Sequence, residues 1–242
     1  MGGGAGQPFG PQHQTYQYED TRAHRDAAVV LVLEGDVELV LELTNGTEPL
    51  GLELTVTAAH DHVITHLDDR PALEVLDEMV GVTRTIDHNQ TADWALGVHP
   101  DDGAAYEGPI TRAIFGMDVE AKALVLQAPI ATGATVQVCH RTREAVHDRA
   151  VAMAKRLREQ LTRRDPFLLL SFECGARPRP FLGDEAARQE VVAIQHTVGP
   201  WLPWLGFYAW GELAPVGSRT HLHNYTFPLV ALCRARAETP SP

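Results

Sequence analysis

The chain has 242 residues and contains little cysteine: Cys139, Cys174 and Cys233 lie far apart. An odd and sparse cysteine count excludes a disulfide framework and favours a reducing compartment. The strongly apolar runs, such as residues 167–172, are too short to cross a bilayer. The opening residues, MGGGAGQPFGPQHQ, have neither the basic nor the apolar region of a secretory signal. We therefore expect a cytoplasmic protein.

Basic charge is also scarce. Asp and Glu number 32 against 20 Lys and Arg, which gives a formal net charge of −12 at pH 7. The only lysines are Lys122 and Lys155. A surface of this sign repels nucleic acid and anionic membranes, so we expect neither as a partner.

Standard catalytic motifs are absent as well. The sequence has no G-x-S-x-G, no C-x-x-C and no H-E-x-x-H. The glycine-rich start lacks the preceding strand, the lysine and the hydroxyl of a phosphate-binding P-loop. We therefore predict that the chain is not an enzyme and that it uses no cofactor.

The first 82 residues show the patterns of short strands and one helix. A continuous apolar run at 27–33, the turn Glu34-Gly35-Asp36 and alternation over 37–43 predict a hairpin. Asn45-Gly46 predicts another turn, followed by strands at 50–56 and 63–67. Asp68, Asp69 and a proline in the first turn predict a helix that ends at Gly81.

The rest of the chain also shows the patterns of short strands and a few helices. Residues 83–93 are polar and predict a linker, and short strands are expected at 94–98, 111–117, 123–126 and 135–140. Helices are expected at 143–163 and from Asp184, as its cap, to 197. A strand buried on both faces is predicted at 167–173, with final strands at 205–213 and 223–235. The pattern indicates an α+β protein with mostly antiparallel or mixed sheets and a few amphipathic helices packed on them.

Polar residues cluster where the C-terminal strands end. Cys174 closes a strand and is followed by Gly175-Ala176-Arg177. A guanidinium near a thiol favours thiolate and binds carboxylates through two parallel hydrogen bonds. The other interpretation is a small buried thiol beside a surface arginine.

Glu212 follows a glycine in the strand GFYAWGE. An unpaired buried carboxylate is costly, so Glu212 must reach water or a partner. That partner could be a ligand amine, Arg177 or the amides of a turn.

Two groups of histidines have spacings that can hold a metal. His221 and His223 share one side of a strand, and His60, His62 and His66 surround a turn next to Asp61. Neither group shows a full ligand set at fixed spacing, and solvated strand ends or polar turns explain both. We predict no metal site.

The same C-terminal residues resemble a known family. The runs SFECGAR, GFYAWGE-LAP and HNYT, with Glu190 between the first two, are similar to the C-terminal domain of the FIST family. The matching positions are Cys174, Arg177, Gly206, Phe207, Tyr208, Gly211, Glu212, His223, Asn224 and Thr226. Two positions depart from the family's pattern, because Glu173 replaces a serine and Ala176 replaces a glycine.

The first 80 residues resemble the closing part of the family's N-terminal domain, through Val56-Thr57-Ala58 and Asp69-Arg70-Pro71-Ala72-Leu73. We therefore expect residues 1–82 to be the C-terminal part of a FIST N-like domain whose first half is missing. Residues 83–236 are expected to form a FIST C-like domain and residues 237–242 a tail. If so, unpartnered strands would make the chain marginally stable or oligomeric.

The resemblance implies a sensory module of signal transduction that binds a small ligand such as an amino acid and signals through a protein partner. The family supplies only positions, and charge suggests their roles. Arg177 would hold a ligand carboxylate and Glu212 its amine, with Phe207, Tyr208 and Asn224 shaping the pocket and Cys174, His223 and Thr226 beside them.

Two alternatives stay open. One is a cysteine-dependent hydrolase or transferase with Cys174 as nucleophile, His223 as base and Asn224 or Glu212 orienting it. The other is a protein-interaction scaffold that binds no small ligand.

Overall fold

A computed structural model of the chain describes residues 1–6, 14–81, 92–99 and 108–235. Strands predominate in it over helices, which confirms the predicted α+β class. The strands are β1 (Gly2–Ala5), β2 (Gln17–Glu19), β3 (Arg22–His24), β4 (Val37–Thr44), β5 (Thr47–His60), β6 (Val63–Leu67), β7 (Arg70–Pro71), β8 (Trp94–Val98), β9 (Ile110–Asp118), β10 (Ala123–Leu126), β11 (Thr135–Arg141), β12 (Asp165–Cys174), β13 (Trp204–Val216), β14 (Arg219–His223) and β15 (Phe227–Arg234). The α-helices are α1 (Ala72–Val80), α2 (Arg143–Gln160) and α3 (Asp184–Val198).

Most strands belong to two sheets. The open sheet has the order β1-β13-β12-β15-β4, with β14 paired to β13. The second sheet has the order β10-β9-β8-β11-β5-β6-β7, and β10 also pairs with β6. This extra pairing closes six strands into a ring, which we call the barrel. Among the described strands the pairing is antiparallel except between β12 and β13, which are parallel.

Each sheet has its own apolar core. In the open sheet, Leu169, Leu229 and Ala231 pack with Met153 and Leu157 of α2 and with neighbouring residues of α3. In the barrel, α1 packs with the inward-facing residues of the strands. The apolar stripe predicted for α2 is buried, and Thr142 caps this helix by accepting a hydrogen bond from Ala145 N. In the described part of the chain, no helix is both long and apolar enough to cross a membrane.

The predicted Asn45-Gly46 turn carries the chain from the open sheet into the barrel. Asn45 is buried, accepts a hydrogen bond from Thr47 N at 3.0 Å and donates one to Pro109 O at 2.9 Å. Gly46 has a φ of +68°, and a Cβ there would come within 2.6 Å of Val146 Cα. Only glycine fits both the conformation and the space. The turn therefore fixes the position of both sheets against α2.

Most strands of residues 1–82 belong to the same two sheets as the rest of the chain. Strand β1 pairs with β13, and β4 pairs with β15, all within the open sheet. Strands β5 and β6 pair with β11 and β10 within the barrel. The domain division at residue 82 remains a prediction from sequence, because the linker predicted at 83–93 falls mostly outside the described residues, as does the tail at 237–242.

The predicted first hairpin is wrong. Residues 27–33 form no strand, and Val30, Leu31 and Val32 are 76%, 73% and 72% exposed. Strand β4 pairs instead with β15, far away in sequence. A strand paired with the edge strand β4 would have one face exposed to solvent, which suits alternating apolar and polar residues. The run at 27–33 is apolar throughout, so a local hairpin with β4 would gain little stability.

Three smaller predictions need correction. Asp68 and Asp69 belong to the turn between β6 and β7, and Pro71 is the cap of α1 without a side-chain hydrogen bond. Gly183 caps α3, and Asp184 forms an ion pair with Arg179. His223 ends β14 instead of opening the last strand. In each case the polar residue has a type that is common at the end of a helix or strand, but a turn or tertiary contact places it elsewhere.

Strand β12 is fully buried on one face only. Leu169, Ser171 and Glu173 are buried, whereas Leu168, Leu170 and Phe172, which alternate with them, are half-buried. Because successive strand residues point to opposite faces, one face of β12 lies under the helices and the other does not.

We predict that Gly206→Ala destabilises the parallel pair of β12 and β13. A Cβ at this position would lie 2.5 Å from Ser171 O and 2.3 Å from Ser171 Oγ. Forcing these backbones apart is expected to cost about 1–3 kcal/mol of unfolding free energy in urea titrations. Gly116→Ala is the matched control, because a Cβ there meets only Val125 Cβ at 3.9 Å. Equal stability of the two variants would contradict the prediction.

Candidate functional site

The parallel strands place the predicted residues at the end of a β–α–β unit. Strand β12 ends at Cys174, a π-helical turn (Pro178–Leu182) leads into α3, and the chain returns along β13. Polar side chains beyond the carboxyl ends of parallel strands face the crevice in which such sheets commonly bind ligands. Arg177 lies in the connection that leaves this end of β12.

Arg177 is fully buried and forms ion pairs with two glutamates. Its Nη1 donates to Glu173 Oε1 at 2.6 Å, and its Nη2 donates to Glu190 Oε2 at 3.4 Å. Nη2 also donates to Val146 O at 3.3 Å. In the described part of the chain, Arg177 Nε has no acceptor. The guanidinium therefore links β12, α2 and α3, and its Nε is a nitrogen without a hydrogen-bond partner among the described residues.

Tyr208 lies on the solvent side of this buried charge cluster. It is 51% exposed, and the charges of Glu173, Arg177 and Glu190 all influence its hydroxyl, whose pKa is raised chiefly by burial. In the pairing of β12 with β13, Tyr208 stands opposite Glu173. Tyr208 is thus the predicted site residue through which solvent comes nearest to the cluster.

Glu212 is also fully buried, at the point where β13 meets β14. Its Oε2 accepts hydrogen bonds from Thr226 Oγ1 at 2.9 Å and Thr226 N at 3.3 Å. Oε1 is buried and has no partner of ordinary hydrogen-bond geometry among the described residues. The Cys174 thiol and the charge of Arg177 both act on this carboxyl, so the predicted residues do lie near one another.

Burial changes the ionisation of both acidic residues. It raises the pKa of the Glu212 carboxyl to about 8, although the hydrogen bonds from Thr226 oppose the rise. Burial likewise raises the pKa of Glu173 to about 7, with the charge of Arg177 opposing it. Both carboxyls therefore bind protons at a pH where exposed glutamates do not.

The geometry does not favour cysteine chemistry. Burial raises the pKa of the Cys174 thiol to about 12, and the nearby Glu212 carboxyl raises it further. Burial lowers the pKa of His223 to about 4, and its Nε2 lies 3.1 Å from Ala214 O. A nucleophilic cysteine needs a stabilised thiolate and a basic partner, and this site provides the opposite conditions.

Asn224 joins the open sheet to the barrel. Its Oδ1 accepts from Ala113 N at 2.9 Å, and its Nδ2 donates to His223 O at 3.0 Å. Its backbone N donates to Thr111 O at 3.2 Å, and the Thr111 hydroxyl donates to its backbone O. These contacts use both ends of the amide to hold the chain just before Thr226, which supports Glu212.

Phe207 points away from Tyr208, because the two are consecutive in a strand. It is 49% exposed and packs edge-on against Phe172, with ring centroids 5.4 Å apart. Its side chain therefore lies on the other face of the open sheet from the charge cluster.

Sequence reasoning missed the partners of Arg177 and a second buried arginine. Glu173 and Glu190 were noted only as positions of the family pattern. Arg141 is 1% exposed, and its guanidinium lies 4.1 Å from the Phe181 ring and 3.8 Å from the Tyr225 ring. The four-residue spacing of Glu173 and Arg177 was not a signal for this ion pair, because that rule holds within a helix and Glu173 belongs to strand β12.

The described residues contain no group of three or more His, Cys, Asp or Glu side chains arranged to hold a metal. His221 and His223 have ring centroids 6.3 Å apart. A surface cleft of about 300 Å³ is lined by Glu38, Arg163, Arg164 and Arg234, none of which belongs to the predicted site.

We expect Arg177→Met to destabilise the fold by about 3–5 kcal/mol, because it leaves two buried carboxyls without their counter-charge. Arg179→Met is the matched control two residues away, since the Arg179–Asp184 pair is exposed and such pairs contribute little. Urea titrations at pH 7 measure both. A cost for Arg177→Met no larger than that of the control would contradict the structural role of the cluster.

The raised pKa of Glu212 predicts a loss of stability with rising pH. In the unfolded chain this carboxyl ionises near its ordinary value of 4.5, so the folded form binds the extra proton up to about pH 8. His223 has the opposite effect only below about pH 6.5. Between pH 6.5 and 8 we expect Glu212 to contribute a fall of about 1–2 kcal/mol in unfolding free energy. Glu173, whose pKa is raised to about 7, adds a smaller fall of the same sign.

Glu212→Gln should reduce that fall, and Glu48→Gln, at an exposed carboxyl, should not. Urea titrations at pH 6.5, 7.25 and 8 give the three slopes. A slope in Glu212→Gln equal to that of the unsubstituted protein would show that Glu212 ionises normally.

Comparison with known proteins agrees with the resemblance read from the motifs. The FIST N domain family model matches residues 1–70, and the FIST C domain model matches residues 72–215. No solved structure gives a significant match to the chain.

The similar curated proteins are mycobacterial and uncharacterized. One from Mycobacterium bovis is 28% identical over 216 residues, which cover 86% of this chain and 55% of that protein. One from Mycobacterium tuberculosis H37Rv is 29% identical over 216 residues, which again cover 86% of this chain and 55% of that protein. The chain thus spans about half the length of the curated relatives it matches. FIST domains are generally sensory domains of signal transduction. The two family models together match most of the sequence, and the chain therefore belongs to the FIST family.

Proposed function

We propose that this chain is a cytoplasmic sensory module that binds a small ligand, and that the ligand is an amino acid. The observation that carries the proposal is a complementary pair of unused polar atoms in the interior. Arg177 Nε is a buried donor without an acceptor, and Glu212 Oε1 is a buried acceptor without a donor of ordinary geometry, both within the described residues. Buried polar atoms without partners are costly and concentrate at functional sites.

An amino acid supplies what both atoms lack. Its ammonium donates hydrogen bonds and carries the positive charge that favours ionised Glu212. Its carboxylate accepts from Arg177 Nε. Arg177 already has charged partners, but its contact with Glu190 is 3.4 Å long against 2.6 Å for Glu173. A ligand carboxylate that accepts from both Nε and Nη2 would therefore displace only the longer contact, that of Nη2 with Glu190.

The remaining predicted residues have supporting roles in this proposal. Thr226 and Cys174 hold the Glu212 carboxyl, while Asn224 and His223 fix the chain beside it. Tyr208 lies at the half-exposed side of the cluster, where a ligand would enter. Phe207 lies across the sheet and would act only through the backbone it shares with Tyr208.

Because the proposed ligand contacts are buried, ligand binding would require a conformational change that can act as a signal. Arg177 and Glu212 are both fully buried, so a ligand reaches them only when the structure opens. A ligand that binds one of two conformations better than the other shifts the population toward it. The protein partner that would read this shift is also a proposal, drawn from the family's general role.

A thermal-shift screen of the amino acids tests the proposal. At a hundredfold excess over the dissociation constant, a ligand adds about 2.7 kcal/mol of stability, which raises the melting temperature by several degrees at this chain length. Deaminated analogues and amino-acid amides test the two ends separately, and each should bind less tightly than the parent amino acid.

Glu212→Gln should abolish the shift, because it removes the negative charge while keeping the shape of the side chain. Glu48→Gln, at an exposed position, should keep it. If no amino acid raises the melting temperature, the zwitterion model fails. If the deaminated acid binds as well as its parent, or if Glu212→Gln responds normally, Glu212 does not hold the ammonium.

A further inference from the structure

One face of the open sheet is apolar, and no helix of the described residues packs on it. The register of its strands places Leu39 in a row with Leu168, and Leu41 in a row with Leu170 and Leu205. Phe207 follows in the next row, opposite Phe172. We call this surface the bare face and define it by Leu39, Leu41, Leu168, Leu170, Leu205 and Phe207. The residues that alternate with these, such as Val40 and Leu169, pack into the core shared with α2 and α3.

The bare face is open to solvent at both flanks. Leu39 on β4 is 52% exposed, and Leu205 and Phe207 on β13 are 61% and 49% exposed. Leu41, Leu168 and Leu170 are half-buried, and the residues of β15 in these rows, Val230 and Leu232, are buried. The exposed apolar area is therefore greatest on β4 and β13, and apolar patches of a few hundred Å² on soluble proteins are often functional.

The bare face contains no ionisable side chain, although the chain has a net charge of −12. Arg234 comes nearest to it on β15, and its guanidinium already pairs with Asp165. Because each copy carries a net negative charge, contact through charged parts of the surface is opposed by an overall repulsion between the two copies. Two copies can meet through their bare faces without placing like charges against each other. Because the bare face is neutral, it also needs no partner of opposite charge.

The size of the surface predicts a reversible association. Four strands about 4.8 Å apart and three rows about 6.8 Å apart cover roughly 400 Å² per copy. Stable interfaces bury about 800 Å² per partner. The exposed apolar run at 29–33 joins β4 through residues 34–36, so its last residue, Leu33, lies within roughly 13 Å of β4 and can add to the contact.

We propose that two copies of this chain associate through their bare faces, sheet against sheet, about a twofold axis. The two sheets would then pack in the aligned manner of a sandwich, about 10 Å apart. The proposal is independent of the ligand, because none of the atoms in the charge cluster belongs to the interface.

Sedimentation velocity of the full chain tests the proposal over a range from roughly 1 µM to several hundred µM, where an interface of this size should dissociate. We expect a concentration-dependent monomer–dimer equilibrium that rising salt preserves or strengthens, since salt screens the repulsion between two acidic copies. Leu205→Lys and Leu39→Lys should each weaken the dimer by at least about tenfold, because each buries two lysines in the symmetric interface.

Val192→Lys is the matched control, because Val192 is 51% exposed on α3, across the sheet from the bare face. It should leave the dimer unchanged. Circular dichroism and melting temperature show whether each variant is folded, and exposed positions should tolerate lysine. A monomer at every concentration overturns the proposal, as does dimerisation that Leu205→Lys weakens no more than Val192→Lys.

A dimer that dissociates as salt rises would point to a charged interface and also overturn it. A second experiment adds, as a separate polypeptide, the part of a mycobacterial relative that lies outside the matched region. If the chain stays monomeric and binds this polypeptide through Leu39 and Leu205, the dimer proposal is also overturned.

Discussion

The buried contact of Arg177 with Glu173 and Glu190 is the constraint on which the rest of the site depends. It fixes the end of β12 to α3, and α3 delivers the chain to β13, so the only parallel pair in the described part of the chain is held at this point. Once β13 is in place, its continuation positions Glu212 next to Thr226. An isolated buried charge would be very costly, and two carboxyls around one guanidinium reduce that cost through paired hydrogen bonds.

Local sequence signals were enough for many elements. The strands at 63–67, 94–98 and 123–126 were predicted to the residue, because turn residues bound each apolar segment. The pairing of strands was not predictable in the same way. Contacts such as β4 with β15 and β6 with β10 join segments far apart, and nothing in either strand specifies its distant partner. The error at 27–33 has the same origin, since a nearby turn suggested a local hairpin that the long-range pairing replaced.

The site shows the same limit. Motif order brought attention to Cys174, Arg177 and Glu212, and their side chains do influence one another. Their ionisation could not be read from sequence, because it depends on how much water each group loses. Arg177 was expected to be available to a ligand, yet it holds two carboxyls. Glu212 was expected to carry a charge, yet burial raises its pKa to about 8. A ligand must therefore change the protonation of Glu212 in order to bind it as a carboxylate.

The pleat of β12 and β13 gives the charge cluster and the bare face a common backbone. Glu173 and Tyr208 stand opposite each other on the helix side, and Phe172 and Phe207, one residue earlier, stand opposite each other on the bare side. Because adjacent strand residues share a rigid peptide unit, any displacement of the backbone at Glu173 or Tyr208 also moves the backbone that carries the two phenylalanines. The two proposed surfaces lie on opposite sides of the same two strands, separated by the thickness of a single sheet. If both proposals hold, ligand binding and dimerisation would be coupled without a hinge between distant domains, since the same paired strands form part of both surfaces.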